Sequence, residues 1–518
     1  MLFQRVKPLD QILATASKKA LVRQLGAFQL TMLGIGAIIG TGIFVLTAEA
    51  AQKAGPGMMI SFVIAGTVCA LAALAYSELA AMVPVAGSAY TYTYAVMGEA
   101  IAWVVGWALI LEYAVSAGAV AVGWSGYFNG LLDAGGFGLP EFLRAGPTAG
   151  GAFNLVAALI SLIVTALLVI GTKESARVNV VLVSIKIAAL IAFIAIAVPA
   201  AKSPNFHPFL PTGWGNPLGG SGIGVLGAAA SIFFAYVGFD AVSTAAEETR
   251  NPNRNVPIGL IGSLLVCTIF YLLVGYGAVG ASDAQPLQAN GHFLAPGTPE
   301  MGAACKGLQN LVCSREALAY VLKSMGFPSI GNLVALAASI ALPSVILMMI
   351  YGQTRIFFTM SRDGLLPPVL SKIHPRFHTP YVITIITGIA VALFSALFPV
   401  GLLADVSNSG TLFAFAMVSI GVLVLRKTDP GRHRPFRISG PLVWPVCIGA
   451  VIGCAILFLS LSSFTKWFFV GWAVVGLIVY FLYGFRKSHY AHGTEPDAAD
   501  APTLPPKPDF YEGPDAGP

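Results

Sequence analysis

Charge is what this chain has least of. Asp, Glu, Lys and Arg make up 10% of its 518 residues, against about 25% in soluble domains, which excludes a water-exposed globule. Histidine is as sparse. His207, His292, His374, His378, His433, His489 and His492 all fall in loops or tails, so a nucleophile inside an apolar run would lack a histidine base. No HExxH, no GxSxG and no GxxxxGK followed by Ser or Thr occurs. Those absences argue against a membrane protease or acyltransferase and against ATP drive within the chain. Neither a cofactor nor a metal is expected. Cys69, Cys267, Cys447 and Cys454 lie in apolar runs and read as small inert core residues. Cys305 and Cys313 share the long polar loop 281–329, where a disulfide and two free thiols are both open.

What the chain has instead is apolar length. Hydrophobic residues reach 56% and the mean hydropathy is +0.79, the composition of an integral membrane protein. Twelve apolar runs recur, near 29–52, 58–83, 98–130, 153–171, 177–199, 223–247, 256–280, 330–354, 381–399, 404–425, 442–463 and 466–485. They are continuous rather than alternating, so helices are expected and barrel strands are not. Residues 1–28 are polar and basic (Arg5, Lys7, Lys18, Lys19, Arg23) and hold no apolar core of a cleavable signal. With that segment inside, the cytoplasmic loops collect Lys173, Arg177, Arg250, Arg254, Arg355, Arg362, Lys372, Arg376, Arg426, Lys427, Arg432, Arg434, Arg437, Arg486 and Lys487. The opposite side has Lys53, Arg144, Lys202, Lys306, Arg315, Lys323 and Lys466. The positive-inside rule therefore places both termini in the cytoplasm. The net charge of +6 is a topology signal, and no nucleic-acid partner is needed to explain it. From residue 488 the chain turns Pro-, Ala- and Asp-rich and is expected to be a disordered tail.

Two of the runs carry interruptions. GIGAIIGTGIF places Gly34, Gly36, Gly40 and Gly42 in the first, which predicts unwinding near Ile39–Gly42. SIFFAYVGFDAVSTAAEE sets Gly238 beside Asp240 in the sixth. Unwound backbone at membrane depth is tolerated only where it lines a cavity or binds something. Paired interruptions in matched halves point to a transporter site between inverted repeats. A half-helix starting at Thr41 would offer N–H groups and a positive dipole end to a carboxylate. One ending near Phe234–Ala235 would offer carbonyls to an ammonium. The candidate site is thus Ile38, Ile39, Gly40, Thr41 and Gly42 with Phe234, Ala235, Tyr236 and Val237. Close helix packing through Gly36-x-x-x-Gly40 is the plainer alternative. A dinucleotide loop is excluded because no strand precedes the glycines.

Lys186, mid-way along VNVVLVSIKIAALIAFIAIAV, is the most telling charge. A lysine at the bilayer centre costs at least ~2.5–3.5 kcal/mol, and a stem of about 6 Å cannot snorkel out from a depth of about 14 Å. It is expected to sit between the unwound first helix and the eighth, and to take part in proton coupling. Glu112 lies mid-run in the third helix, as a proton carrier or a partner for substrate ammonium, with a structural hydrogen bond as the alternative. Asp240 follows the sixth-run break, in gating or coupling or as an N-cap. Glu78 reads as a helix-end polar contact, and Glu247, Glu248 and Arg250 as salt bridges at the membrane face.

Four stretches carry a family likeness: GIGAIIGTGIFVLT (34–47), YSELAAMVPVAGSAYTYTYAVMGE (76–99), FFAYVGFDAVSTAAEETRNPNRNVPIGL (233–260) and YGQTRIFFTMSRDGLLP (351–367). With these, the chain resembles the amino acid–polyamine–organocation superfamily, and within it bacterial relatives of the cationic amino acid transporters. The likeness spans 25–485. It implies an all-α integral membrane protein of the LeuT type, with two inverted five-helix repeats plus two helices, twelve spans in all. The implied parts are 1–28 as a cytoplasmic segment, 29–199 and 223–425 as the repeats, 442–485 as helices 11 and 12, and 488–518 as a cytoplasmic tail. It also implies transport of an L-amino acid across the bacterial inner membrane. The GTG backbone would take the carboxylate and the sixth helix the amino group. Lys186 would stand where sodium-coupled cousins hold an ion, with the proton as coupling ion. Proton-coupled symport is the expected mode, with exchange or cationic uniport as alternatives. Cationic and small neutral substrates stay open, as does the oligomeric state. A channel or receptor is the competing class, and the paired broken helices favour a carrier.

Overall fold

In lipid each backbone polar group must be satisfied within its own segment or a closed barrel, and runs of Leu, Ala, Val and Ile that long do so as helices. The computed structural model describes residues 25–83, 88–171, 176–244, 249–282, 284–377 and 379–489. The basic stretch before Leu25, the pair Glu247 and Glu248, and the tail after His489 lie outside these residues. Every one of the twelve apolar runs contains helix. The first is split into α1 (Ala27–Ile38), α2 (Thr41–Phe44) and α3 (Leu46–Ala54), and α4 (Met58–Met82) follows. A short α5 (Ser88–Met97) precedes α6 (Glu99–Ala134), α7 (Leu155–Ile170) and α8 (Ala176–Ala197). The sixth run is split into α9 (Val225–Ile232), a 3-10 turn Phe233–Tyr236 and α10 (Ala241–Thr244). Then come α11 (Pro252–Ala281), α12 (Pro299–Ala304), α13 (Ala317–Ser324), α14 (Pro328–Arg362), α15 (Tyr381–Leu397), α16 (Val400–Thr428), α17 (Val443–Ser460) and α18 (Ser463–Val479).

Among the described residues, eight helical stretches are long and apolar enough to cross a membrane, and four apolar helices are shorter. Two of the short ones, Ala27–Ile38 and Val225–Tyr236, are short because their runs break. Helix α14 reaches Arg362, beyond the apolar run that ends near residue 354. Its i to i−4 ladder continues through Gln353, Thr354 and Arg355 because main-chain bonding does not depend on hydropathy.

Burial sorts the helices into a centre and a perimeter. The apolar window of α6 is 89% buried, whereas that of the last long helix is 22% buried. Helix α6 packs against α14 and α16, α1 against α11 and α8, and α4 against α11 and α9. On the perimeter Leu265, Leu333, Leu393 and Trp467 stay exposed, a belt of apolar surface suited to lipid and not to water.

The two ends of the bundle are built differently. At the end where the described chain begins and finishes, Glu78 is buried and accepts from Arg426 Nε (2.8 Å) and Nη2 (2.7 Å) and from the Ile438 amide (3.0 Å). This is the helix-end contact expected of it. At the opposite end lies a two-stranded hairpin, Gln288–Ala289 with His292–Phe293. The neighbouring Cys305 and Cys313 form a disulfide there. Gln52 of α3 clamps this end. It donates to the carbonyls of Leu287 (3.0 Å) and Leu294 (2.8 Å) and accepts from the Leu287 amide (2.8 Å). The Tyr127 hydroxyl donates to the Phe44 carbonyl (2.5 Å) and accepts from the Leu318 amide (3.3 Å), tying α13 to the broken first run.

Candidate functional site

Both interruptions fall where the glycines place them. Helix α1 ends at Ile38. Ile39 has φ −71°, ψ 97° and Gly40 has φ −146°, ψ −149°, after which α2 starts at Thr41. The amides of Gly40, Thr41 and Gly42 donate to no backbone carbonyl among the described residues. In the sixth run Val237 is extended (φ −60°, ψ 139°) and Gly238 takes φ +112°, a left-handed conformation that favours glycine. Asp240 then leads into α10, with the Ser243 amide on its carbonyl at 2.9 Å.

The two breaks face each other backbone to backbone. A Cβ on Gly42 would lie 2.3 Å from Ala235 Cα, and one on Gly238 would lie 2.9 Å from the Ala37 carbonyl oxygen. Glycine at these two positions is a steric requirement of the crossing, beyond any need for flexibility. The other glycines of the motif act differently. A Cβ on Gly36 would meet Val183, and one on Gly34 would meet Ser263, so these two are packing glycines of the plainer kind.

Tyr271 of α11 spans the gap. Its buried hydroxyl is 2.9 Å from the Ile38 carbonyl and 2.8 Å from the Ala235 carbonyl. One hydroxyl proton serves only one carbonyl at a time, so the pair of acceptors has more capacity than Tyr271 fills. Tyr236 turns away, donating to the Phe62 carbonyl at 3.0 Å, and is packing rather than lining. Phe239, in the unwound stretch, meets Tyr76 edge to face and packs at a tilt on Phe415.

Lys186 is 1% exposed and donates from Nζ to the Gly36 carbonyl at 2.8 Å. In an unbroken helix that carbonyl would accept from the Gly40 amide, so the lysine reads the break directly. Its helix, α8, packs on both α1 and α14. Asp240 is buried and accepts from Tyr113 Oη at 3.0 Å. Glu112, the residue before Tyr113, is buried on the α6 face that meets Gly410, and its Oε2 has no hydrogen-bond partner among the described residues.

A buried polar cluster beside the site was not legible in the sequence. Lys53 Nζ lies 2.9 Å from Asp405 Oδ2, with side chains 5% and 8% exposed. Ser231 bonds both partners, and Asn408 donates to the carbonyls of Ala230 (2.7 Å) and Ser231 (3.0 Å). The cluster pins α3, α9 and α16 together on the disulfide side of the two breaks. Lys53 looks like a loop charge in the sequence because its partner is far away along the chain. Asp405 is the available signal, as an acid inside an apolar run.

The family model described as "Amino acid permease" matches residues 25–482. The chain belongs to the amino acid permease family. The permease is 44% identical over 490 residues to the "Branched-chain amino acid permease BcaP" of Bacillus subtilis, covering 94% of this chain and 98% of that one. It is 41% identical to the "Methylthioribose transporter" of the same organism, covering 93% and 98%. It is 37% identical to "Cationic amino acid transporter 4, vacuolar" of Arabidopsis thaliana, covering 79% and 64%. The relatives are named permeases and transporters, and the permease is a multi-pass membrane transporter rather than an enzyme.

Proposed function

We propose that the permease carries a zwitterionic L-amino acid with an apolar side chain across the bacterial inner membrane, by alternating access and together with a proton. The observation that carries this reading is the meeting of the two breaks, Gly42 on Ala235 and Gly238 on Ala37. Beside it lie unspent amides at Gly40–Gly42 and two carbonyls sharing one hydroxyl. The amides suit a carboxylate. An ammonium, with three donors, can satisfy the Ile38 and Ala235 carbonyls together, which Tyr271 cannot. The apolar side-chain preference draws support from the buried Ile38, Ile43, Phe234, Val237, Phe239 and Phe415 around the breaks and from the branched-chain specificity in the name of a relative.

The proposed architecture is twelve crossings in two inverted five-helix repeats plus two helices, with both termini cytoplasmic. The disulfide end then faces outward, where an oxidising compartment keeps Cys305–Cys313 closed. Lys186 is assigned the coupling role. Its ammonium holds the Gly36 carbonyl that the break leaves without its helical partner, so closing or opening the break makes or removes the lysine's acceptor. Asp240, bonded to the Tyr113 hydroxyl, and the buried Glu112 that precedes Tyr113 in the chain are assigned as the second proton station.

The test is thermal stabilisation of the purified permease by each of the twenty amino acids, by amines lacking a carboxylate and by acids lacking an amine. A ligand at 100 Kd stabilises by about 2.7 kcal/mol. Leucine, isoleucine or valine is expected to raise the melting temperature, while the corresponding amines and acids do not. Stabilisation by arginine and lysine alone would overturn the apolar assignment, and stabilisation by methylthioribose alone would overturn the amino acid itself.

A further inference from the structure

The last helix does not simply leave the bundle. After a π turn at Tyr480–Gly484, residues 485–489 fold back against the end of the bundle where the described chain begins and finishes. Glu99, the first residue of α6, is fully buried there and is held by three hydroxyls. Tyr94 Oη donates to its Oε2 at 3.0 Å, Tyr480 Oη donates to its Oε1 at 3.0 Å, and Ser488 also donates to Oε2. One residue on, the His489 amide donates to the Asp363 carbonyl at 3.2 Å, while Tyr90 Oη donates to Asp363 Oδ2 at 2.8 Å. Gly364 is at φ +79°, and a Cβ there would lie 2.7 Å from the Lys487 carbonyl oxygen, so the backbone of this segment is seated closely.

Both anchors end on α5, through Tyr94 and Tyr90. From α5 the contacts continue inward. Ser88 bonds the Tyr76 hydroxyl, the Tyr92 and Tyr76 rings meet edge to face at 5.7 Å, and Tyr76 meets Phe239 at 6.0 Å. Phe239 belongs to the unwound stretch of the sixth run, and α5 also touches α10 beyond it. Hydrogen bonds and ring contacts on either side of α5, joined through that helix's own backbone, therefore link residue 488 to the break. Such a link transmits a change only if one of its elements has two arrangements. Helix α10 is the element assigned two arrangements, because Gly238 at φ +112° sets it off from the first half of the sixth run.

We propose that Tyr480–His489 is a strap that latches α5 and, through it, α10, so that release of the strap frees α10 to move and opens the site toward the end of the bundle where the strap lies. The proposal rests on the transporter reading of the site, and it assigns to the C-terminal segment a control over that motion. Because the chain continues past His489 for a further stretch rich in Asp and Pro, anything that binds or modifies that stretch could pull on the latch.

The test reads the motion without relying on transport. Ser243 of α10 is fully buried, and Ser243→Cys in the full chain is a near-isosteric reporter for a maleimide, while the native free cysteines Cys69, Cys267, Cys447 and Cys454 are buried controls. Each hydrogen bond removed from the latch should speed labelling about five-fold. In the Ser243→Cys background, Ser488→Ala is therefore expected to raise the labelling rate by about five-fold and Ser488→Ala with Tyr480→Phe by more, with Ser488→Thr restoring the slow rate. If the thiol introduced on α10 reacts at the parental rate in both latch variants, the strap does not control α10. If they melt lower but label no faster, the segment is a structural tie only, and the proposal is equally overturned. Substrate binding by the parent, measured separately, decides the transporter reading on its own.

Discussion

Gly42→Leu is expected to destroy substrate binding and to lower the melting temperature as well. The reason is geometric. The position of a new Cβ lies 2.3 Å from Ala235 Cα and 3.0 Å from Ala235 N, so the obstacle is backbone and cannot rotate aside. Sequence reasoning alone suggests that a bulky residue here would block substrate while leaving the fold intact. The structure corrects that expectation, because Gly42 holds the two breaks in contact before any substrate arrives. Overpacking of this kind costs about 1–3 kcal/mol for small increments, and Leu exceeds a small increment. Gly42→Ala is the informative variant, expected to lose about 1–3 kcal/mol of stability and most of its affinity. Gly471→Leu, at a position with nothing within 4 Å, should change neither. Melting curves with and without leucine separate the two losses. A Gly42→Ala protein that binds as tightly as the parent would show that the contact with Ala235 is dispensable.

Asp405→Ala is expected to destabilise the permease more than any single surface change. It leaves the Lys53 ammonium, 4% exposed, without its carboxylate. Breaking a buried pair by removing one partner costs about 3–5 kcal/mol. Replacing both partners, as Lys53→Met with Asp405→Leu, should recover most of that stability, since a buried pair repays little beyond its own desolvation. The recovered double variant is where function shows. If the pair closes the disulfide side over the site, the double variant should take up reagent from that side faster than the parent while remaining well folded. Recovery of stability with unchanged accessibility would make the pair a scaffold and not a closure.

The parts of this site visible in the sequence are those whose meaning is local. A glycine cluster inside an apolar run signals unwinding wherever its partners are, and both breaks lie at the glycines that signal them. A lysine in mid-run needs an acceptor, and Lys186 has one in the Gly36 carbonyl. The runs themselves are helical, although among the described residues eight stretches meet the length and apolarity of a full crossing. What could not be read is partnership across the fold. Lys53 counts as an exposed positive charge until Asp405 is placed beside it. Tyr271 is an ordinary aromatic until its hydroxyl is seen on two carbonyls from different runs. Nothing near Ser488 signals that Glu99 awaits it. The bond that Asp240 accepts from Tyr113 was equally invisible, since it comes from another helix.

Lys186 is proposed to couple a proton to closure of the break at Gly36–Gly42. The most direct measurement is uptake of leucine into proteoliposomes with an imposed pH gradient and no sodium, for the parent and for Lys186→Ala. The account predicts accumulation by the parent that follows the gradient, and a Lys186→Ala protein that still binds leucine but no longer accumulates it. Transport by the parent that ignores the pH gradient and requires sodium would contradict the account, and so would full gradient-driven accumulation by Lys186→Ala.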